Sequence, residues 1–426
     1  MNIAFVLPDG LSLGGVTTFS LEMCHRLAGL NKSVYLIEHT SNNPGLEVAL
    51  TPDVKRVSCL EKAHPDDPLI LKKHITRYLS CYRKVLPGVI IPNWSYGTYA
   101  TCAAITAIDP ESVRIIGFAH TDEQIYYDWL SYYETIIHRF VCVSDEISNK
   151  LKKKLPHRQQ DIVTKPYAVH VPPISGREYS RVPTPIKIIY AGRISQRQKR
   201  IFDLILLVSN LLQEGVNFQL RIIGNGTEKA RLQKKLESLG PEAHQRVTIE
   251  DSLLPTSMPV AWRAADVFIS VSEYEGTSIA LLEAMSHGCV PIVTEVSGTK
   301  AIIKNGVNGF RVPIGSVDQM ALMIKELDRD REKLAWLGIE AHATIAHRFT
   351  YDEYITWFLK TVDDVWSEQA RPWPMNIPTL PPSLKTITRT DIFDSLQGDR
   401  NAIWILLLKM LDRLGIRWLY SIVKGQ

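Results

Sequence analysis

Short apolar, β-branched runs alternate with helical patterns twice along this chain, and a proline-rich stretch separates the two series. Such alternation specifies parallel sheets, because parallel strands need long crossovers and helices supply them. In the first series, residues 3–7, 34–38, 89–92, 113–119 and 140–143 read as buried strands, with amphipathic stretches such as 17–28 between them. In the second, residues 186–191, 219–223, 266–271 and 290–294 read as strands. Residues 201–213, 228–239 and 278–287 read as helices. Residues 171–185 (VPPISGREYSRVPTP) have no periodic apolar face and read as a linker. The expected fold is α/β: two Rossmann-like, doubly wound domains, residues 1–172 and 186–350, facing a central cleft. A helix over 351–370 is expected to cross back to the first domain, and residues 384–426 to form a helical, amphipathic extension.

The 426 residues are long enough for two sizeable cores. A net charge of +4 is mild, and no nucleic-acid partner is expected. Six cysteines, Cys24, Cys59, Cys81, Cys102, Cys142 and Cys289, include no CxxC pair and read as reduced thiols of a cytoplasmic protein. The first residues run straight into a strand, without the pattern of a signal peptide. No apolar run reaches the ~20 residues of a membrane span.

Strand ends carry the chemistry. The strand at 186–191 ends in Gly192-Arg193, with Lys199 beyond it, and two cations at the mouth of a cleft suit a diphosphate. Arg197 and Arg200 share the loop, so a solvated loop is an equal reading. The strand at 219–223 ends in Gly224-Asn225-Gly226, small residues that let a ligand approach the backbone. The third glycine of a dinucleotide fingerprint is absent, with Lys229 in its place.

The sharpest segment is EYEGTSIALLEAMSHG, residues 273–288. Gly276-Thr277-Ser278 opens a helix whose N-terminus attracts phosphate through its free N–H groups and dipole. Glu275 precedes that turn. Glu283 lies in an otherwise apolar helix, on a narrow strip with Gly276, Ala280 and His287. Spacing alone slightly favours a solvent-facing Glu283; a carboxylate on a cleft would instead accept hydrogen bonds from two ribose hydroxyls.

Together, Gly192-Arg193 with Lys199, the Gly224-Asn225-Gly226 turn, Glu-x7-Glu at Glu275 and Glu283, Val290-Pro291-Ile292-Val293 and Asn308-Gly309-Phe310 resemble glycosyltransferase family 4, retaining enzymes of the GT-B fold. The resemblance spans most of residues 1–365 and is most specific over 186–313. It implies that Arg193 and Lys199 hold a diphosphate, that Glu283 binds the ribose, and that Glu275 contacts the donor sugar. The backbone of Gly276, Thr277, Ser278 and Ile279 would contact sugar and phosphate. Gly14-Gly15-Val16 is similar to the family's glycine loop, and His120 stands where the family has a histidine near the reacting sugar. On this reading the first domain is the acceptor side and the second the nucleotide-sugar side. Two departures are Glu250-Asp251-Ser252, where the family often has a glycine after the strand near 247–249, and Ala168 after Pro166-Tyr167.

A diphosphate leaving group must have its charge stabilised. The one DxD string, Asp328-Arg329-Asp330, reads as a solvated face, so no metal and no cofactor is expected: Arg193, Lys199 and the helix N-terminus take the metal's place. The expected activity is hexosyl transfer from a UDP- or GDP-sugar to a glycan or lipid-linked acceptor, in polysaccharide or glycolipid synthesis. The alternatives are a sugar-nucleotide epimerase of the same fold and a silent nucleotide-sugar-binding protein. Neither HExxH nor GxxxxGK[ST] is present. Residues 69–86 form a basic amphipathic stretch that suits either an anionic membrane surface or an ordinary surface helix. Residues 402–423 are apolar with a basic stripe (Lys409, Arg413, Arg417), suited to docking on protein or to a membrane interface.

Overall fold

The computed structural model describes residues 1–40, 50–61 and 71–374. The extension at 384–426 and the start of the 69–86 stretch lie outside the described residues. The first half runs β1 (Asn2–Leu7), α1 (Gly15–Gly29), β2 (Val34–Thr40), β3 (Val54–Glu61), α2 (Leu71–Tyr82), β4 (Gly88–Ile91), α3 (Tyr96–Ile108), β5 (Val113–Ala119), α4 (Gln124–Tyr132), β6 (Arg139–Cys142), α5 (Asp145–Lys154) and β7 (Ile162–Thr164). The second runs β8 (Ile186–Ala191), α6 (Asp203–Gln213), β9 (Phe218–Ile223), α7 (Lys229–Glu237), α8 (Pro241–Arg246), β10 (Val247–Glu250), α9 (Met258–Ala264), β11 (Val267–Ser270), α10 (Ile279–Ser286), β12 (Val290–Thr294), α11 (Thr299–Ile302), β13 (Phe310–Val312), α12 (Val317–Arg329), α13 (Arg331–Arg348) and α14 (Tyr351–Ser367).

The strands form two parallel sheets, ordered β3-β2-β1-β4-β5-β6-β7 and β10-β9-β8-β11-β12-β13. Their inner strands are apolar throughout because helices cover them: every residue of β4, β5 and β12 is buried. At Lys187 in β8 and Gln219 in β9 that pattern is interrupted, and the exposed side chains leave this face of the second sheet partly open. In each sheet the strand order reverses at one point, between β1 and β4 and between β8 and β11. At such points the loops after adjacent strands diverge and leave a crevice for ligands.

All four edge strands, β3, β7, β10 and β13, were either absent from the sequence expectation or, for β10, mentioned only through the family resemblance. The reason is physical. Edge strands are short or carry charge, as in the VKRVSCLE of β3 and the three residues of β7.

The linker at 171–185 has no regular structure, yet it is packed onto the second half. The Ser180 amide and hydroxyl both donate to the Asp266 carboxylate, and Tyr179 Oη donates to Gly288 O at 3.0 Å. The chain crosses between the halves twice, side by side, with Val169 N donating to Phe349 O at 2.9 Å. Immediately after the second crossing, α14 returns to the first sheet and packs on α1, β4 and β5. Its buried residues, Tyr351, Tyr354, Ile355, Phe358, Val362 and Val365, recur at helical spacing, and Phe358 stacks on Phe5 at 5.8 Å.

Candidate active site

The sequence-expected residues converge from the two reversal points. After β8, the loop 192–200 sorts its cations. Arg200 is tied to Asp203 (2.8 Å) and Glu273 (2.7 Å), and Arg197 reaches Glu123 (2.9 Å). These two are structural. Arg193 is exposed, and among the described residues its guanidinium has no hydrogen-bond or ion-pair partner. Lys199 is ion-paired with Glu275, whose Oε1 also accepts from Ser272 Oγ at 2.7 Å. Glu275 is buried, so this pair is screened little by water.

After β11, Ser278 caps α10: its Oγ accepts from Leu281 N at 3.3 Å, and the helix begins at Ile279 rather than at Gly276. The preceding turn faces the first half more than open solvent. An added Cβ on Gly276 would lie 2.0 Å from His120 O, Asp122 N donates to Glu275 O at 3.1 Å, and Thr277 Oγ1 donates to Val143 O. The expectation that ligand contacts the backbone from Gly276 onward is therefore narrowed. Gly276 and Thr277 are engaged by the first half, while Ser278 and Ile279 lead the helix. Gly15 lies against Ile279, an added Cβ falling 3.1 Å from Ile279 Cδ1, whereas one on Gly14 would meet nothing within 4 Å.

Glu283 sits one turn into α10, half-buried. Burial raises its carboxyl to about 7; the Trp262 indole opposes this, though its N–H makes no hydrogen bond of ordinary geometry. A carboxylate on a solvated face has no such shift. Half-buried, Glu283 is less open than the solvated face that spacing slightly favours.

The glycines after β9 have a different reason from the expected one. An added Cβ on Gly224 would lie 2.0 Å from Gly192 O, and one on Gly226 2.1 Å from Ile194 O. The neighbouring turn by itself already demands their smallness. Asn225 between them is exposed, with its Oδ1 3.3 Å from Lys229 Nζ. The departure at Glu250 is also explained: Arg221 on the adjacent strand holds its carboxylate with two bonds, at 2.5 and 2.7 Å, and keeps it ionised below its ordinary range. Asp328 pairs with Arg331 and Asp330 caps α13 through Lys333 N (2.9 Å), so the DxD carboxylates do structural work. Among the described residues no group of three His, Cys, Asp or Glu side chains is placed to hold a metal.

His120, at the end of β5, is buried, and both ring nitrogens are taken. Nε2 lies 3.1 Å from Asn93 Oδ1 and Nδ1 2.5 Å from Tyr167 Oη. Burial lowers its pKa to about 3. Burial therefore favours the neutral ring, whose two nitrogens are both engaged within the protein. Asn93 and Tyr167 were missed because they lie 27 and 47 positions from His120. Asp122 was missed too. It binds Lys150 (2.7 Å), Tyr127 (2.7 Å) and, across the halves, Ser297. The 8–14 loop also spells GxSxG from Gly10 to Gly14, but among the described residues Ser12 has neither a histidine partner nor the positive φ of a strained elbow.

Residues 176–343 match the family model described as glycosyl transferases group 1. Among curated proteins, an uncharacterised glycosyltransferase of Methanocaldococcus jannaschii is 29% identical over 167 residues, 39% of this chain and 40% of the relative. The putative colanic acid biosynthesis glycosyltransferase WcaL of Escherichia coli K12 is 25% identical over 214 residues, 49% of this chain and 52% of the relative. The matches thus span about half the length of these relatives, or less. Among solved structures, S. aureus TarM in complex with fondaparinux, alpha-GlcNAc-glycerol and UDP superposes with a TM-score of 0.71 at 11% identity, covering 86% of this chain and all of that one. The likeness establishes the GT-B fold.

Proposed function

From the group 1 glycosyl transferase domain at residues 176–343, set within a GT-B fold, we propose a retaining, metal-independent glycosyltransferase of family 4. The donor is a nucleoside diphosphate sugar and the acceptor a glycan or a lipid-linked sugar. The observation that carries this reading is the gathering of Arg193, the Lys199–Glu275 pair and the Ser278-capped end of α10 at one strand-order reversal, opposite the ends of β1 and β5. The UDP in the TarM complex supports a UDP-sugar as the first donor to test.

In the transfer, the bond from the anomeric carbon to the diphosphate breaks and one to an acceptor hydroxyl oxygen forms, the hydroxyl proton passing to an oxygen of the departing diphosphate. The departing diphosphate gains negative charge. Arg193 meets it with a planar fork of donors, and α10 offers its first-turn N–H groups. Lys199 is held by Glu275 before the donor arrives. A diphosphate competes for the ammonium, and the freed Glu275 carboxylate then accepts sugar hydroxyls. Glu283 holds the ribose. His120 acts through its place in the fold rather than through its ring nitrogens. The exposed Arg83 and Lys84 just after α2 are suited to anionic headgroups, which would bring the enzyme to a lipid-linked acceptor on the cytoplasmic face of a membrane. No described helix is long and apolar enough to cross a membrane.

Thermal stabilisation and hydrolysis across a panel of UDP- and GDP-sugars test the reading. With the donor so identified, Arg193→Ala and Lys199→Ala are each expected to lower kcat about 10²–10³-fold, the usual loss of one group that stabilises developing charge. EDTA is expected to leave the rate unchanged. Undiminished activity of both variants would overturn the assignment, and a strict need for Mn²⁺ or Mg²⁺ its metal-free part.

A further inference from the structure

We propose that Tyr167 is a positioning residue of the transfer reaction, its hydroxyl tying the chain crossing between the two halves to the strand end that meets Glu275 and Gly276. The inference rests on the glycosyltransferase reading and deepens it.

Tyr167 stands two residues before Val169, where the outgoing and returning chains pair through Phe349 O. From there its ring lies parallel to the His120 imidazole, with centroids 6.0 Å apart and an interplanar angle of 7°, and its Oη is 2.5 Å from Nδ1. The other side of the imidazole is fixed just as firmly. Asn93 Nδ2 donates to Val6 O at 2.8 Å, so its Oδ1 is the atom that faces His120 and must accept. Asn93 adopts a left-handed backbone, φ 54°, which places the amide between the ends of β1 and β5. With Nε2 donating to Asn93, Nδ1 has only a lone pair to offer, and Tyr167 O–H is its donor. The ring is locked as the neutral Nε2–H tautomer.

The network therefore joins four places: the end of β1, the end of β4, the end of β5 and the crossing. His120 itself passes the constraint on through its main chain. Its carbonyl is packed against Gly276, Thr121 bridges to Gly276, and Asp122 N bonds Glu275 O. A change at the crossing that moves Tyr167 must either break its bond to Nδ1 or carry the β5 end with it. The groups that face Tyr167 from the elements around it are Tyr126 of α4, Tyr354 of α14 and Glu275. Phe19 of α1 closes the remaining side, edge-on at 4.8 Å. Phenol to imidazole is thus a neutral polar link within an aromatic joint, and Tyr167→Phe removes it without emptying the space.

The test has two arms on the full chain. In ¹⁵N-labelled protein, imidazole spectra are expected to show wild-type His120 as the neutral Nε2–H tautomer throughout pH 5–8. Tyr167→Phe is expected to lose the Nδ1 signature of an accepted hydrogen bond and to take up a proton at higher pH. Asn93→Ser, changing the ring from its other side, is expected to leave the Nε2–H without its acceptor and to shift its ¹⁵N signal. In the second arm, hydrolysis of UDP-glucose, UDP-N-acetylglucosamine and GDP-mannose is followed from pH 5 to 8. Tyr167→Phe is expected to lower kcat about tenfold or more, as small misplacements do, with KM within about twofold and the acid limb of kcat moved to higher pH. An active wild type with an unchanged His120 spectrum, or unchanged kcat, in Tyr167→Phe overturns the role of Tyr167 alone. A wild type inert towards every nucleotide-sugar overturns the glycosyltransferase reading, whatever the spectra show.

Discussion

The four charged side chains proposed for this site are held in three different ways: a buried carboxyl, an ion pair and an exposed guanidinium. Glu283 is a carboxyl that burial raises to about 7, so near neutrality it is only partly ionised. On the proposed reading, two ribose hydroxyls would donate to the ionised form. The kcat/KM for the donor is therefore expected to rise with pH through about 7, an acid limb belonging to the free enzyme. Glu283→Gln is expected to abolish that limb and raise KM about 10- to 100-fold, the loss of hydrogen bonds to a charged acceptor. A limb that persists in Glu283→Gln would assign it elsewhere. Lys199 and Glu275 neutralise each other before substrate arrives, so the site meets a diphosphate without an unpaired buried charge. Arg193, exposed, supplies the charge that has no internal partner.

At the scale of elements, the loops after β8, β9 and β11 are set by close packing of backbone on backbone. Gly224 sits where any side chain would strike the Gly192 carbonyl. Gly224→Ala is expected to destabilise the fold by about 1–3 kcal/mol, the usual cost of overpacking. Gly14→Ala has open space around the new methyl and is expected to stay within about 0.5 kcal/mol of wild type. If Gly14 lies where the donor phosphate approaches, the same change weakens donor binding. Chemical denaturation beside nucleotide-sugar titration separates the two effects, and equal stability losses would refute the packing account. The alternation of strand and helix was legible in the sequence because inner strands are uniformly apolar. The edges were not, because β3, β7, β10 and β13 are short or charged for the same reason that they are edges.

Across the whole molecule, two histidines are held neutral where distant parts of the chain meet. His120 joins β5 to the crossing, and His138 accepts from Ile115 N (3.2 Å) while its Nε2 faces Gln369 O (3.2 Å) beyond α14. Burial, helped for His138 by Arg371 and Arg114, lowers both to about 3 from an ordinary 6.5. Between those values the unfolded chain binds protons that the folded chain refuses. Stability is thus full above 6.5 and falls as pH drops towards 3. Each histidine is expected to cost roughly 2 kcal/mol between pH 6.5 and 5. Glu283 acts oppositely, its raised pKa costing stability as pH rises from 4.5 to about 7. Urea unfolding in the Glu283→Gln background isolates the histidines, and a flat profile from pH 7 to 5 would show that they are charged in the fold. Asp122 is the counterpart among acids. Burial works to raise its pKa, but hydrogen bonds from Lys150, Ser297 and Tyr127 prevail and hold it low, keeping an ionised tie between the halves.

The sequence by itself determined the α/β class and the division into two series, and it put Arg193, Lys199, Glu275 and Glu283 at or close behind strand ends, because periodicity and strand-end motifs are local. Arg193, Lys199, Glu275 and Glu283 all fall within 91 consecutive positions, residues 193–283. Only the tertiary structure decided what each of them faces. That Lys199 rests on Glu275, that Gly224 is small for the sake of Gly192, and that His120 has no ring nitrogen to spare depend on residues far apart in the chain. Tyr167 stood out only as the neighbour of a departure from the family's turn, and Asn93 carries no motif. Their meaning is a matter of position, created when the two reversal points and the crossing are brought together by the packing of the sheets.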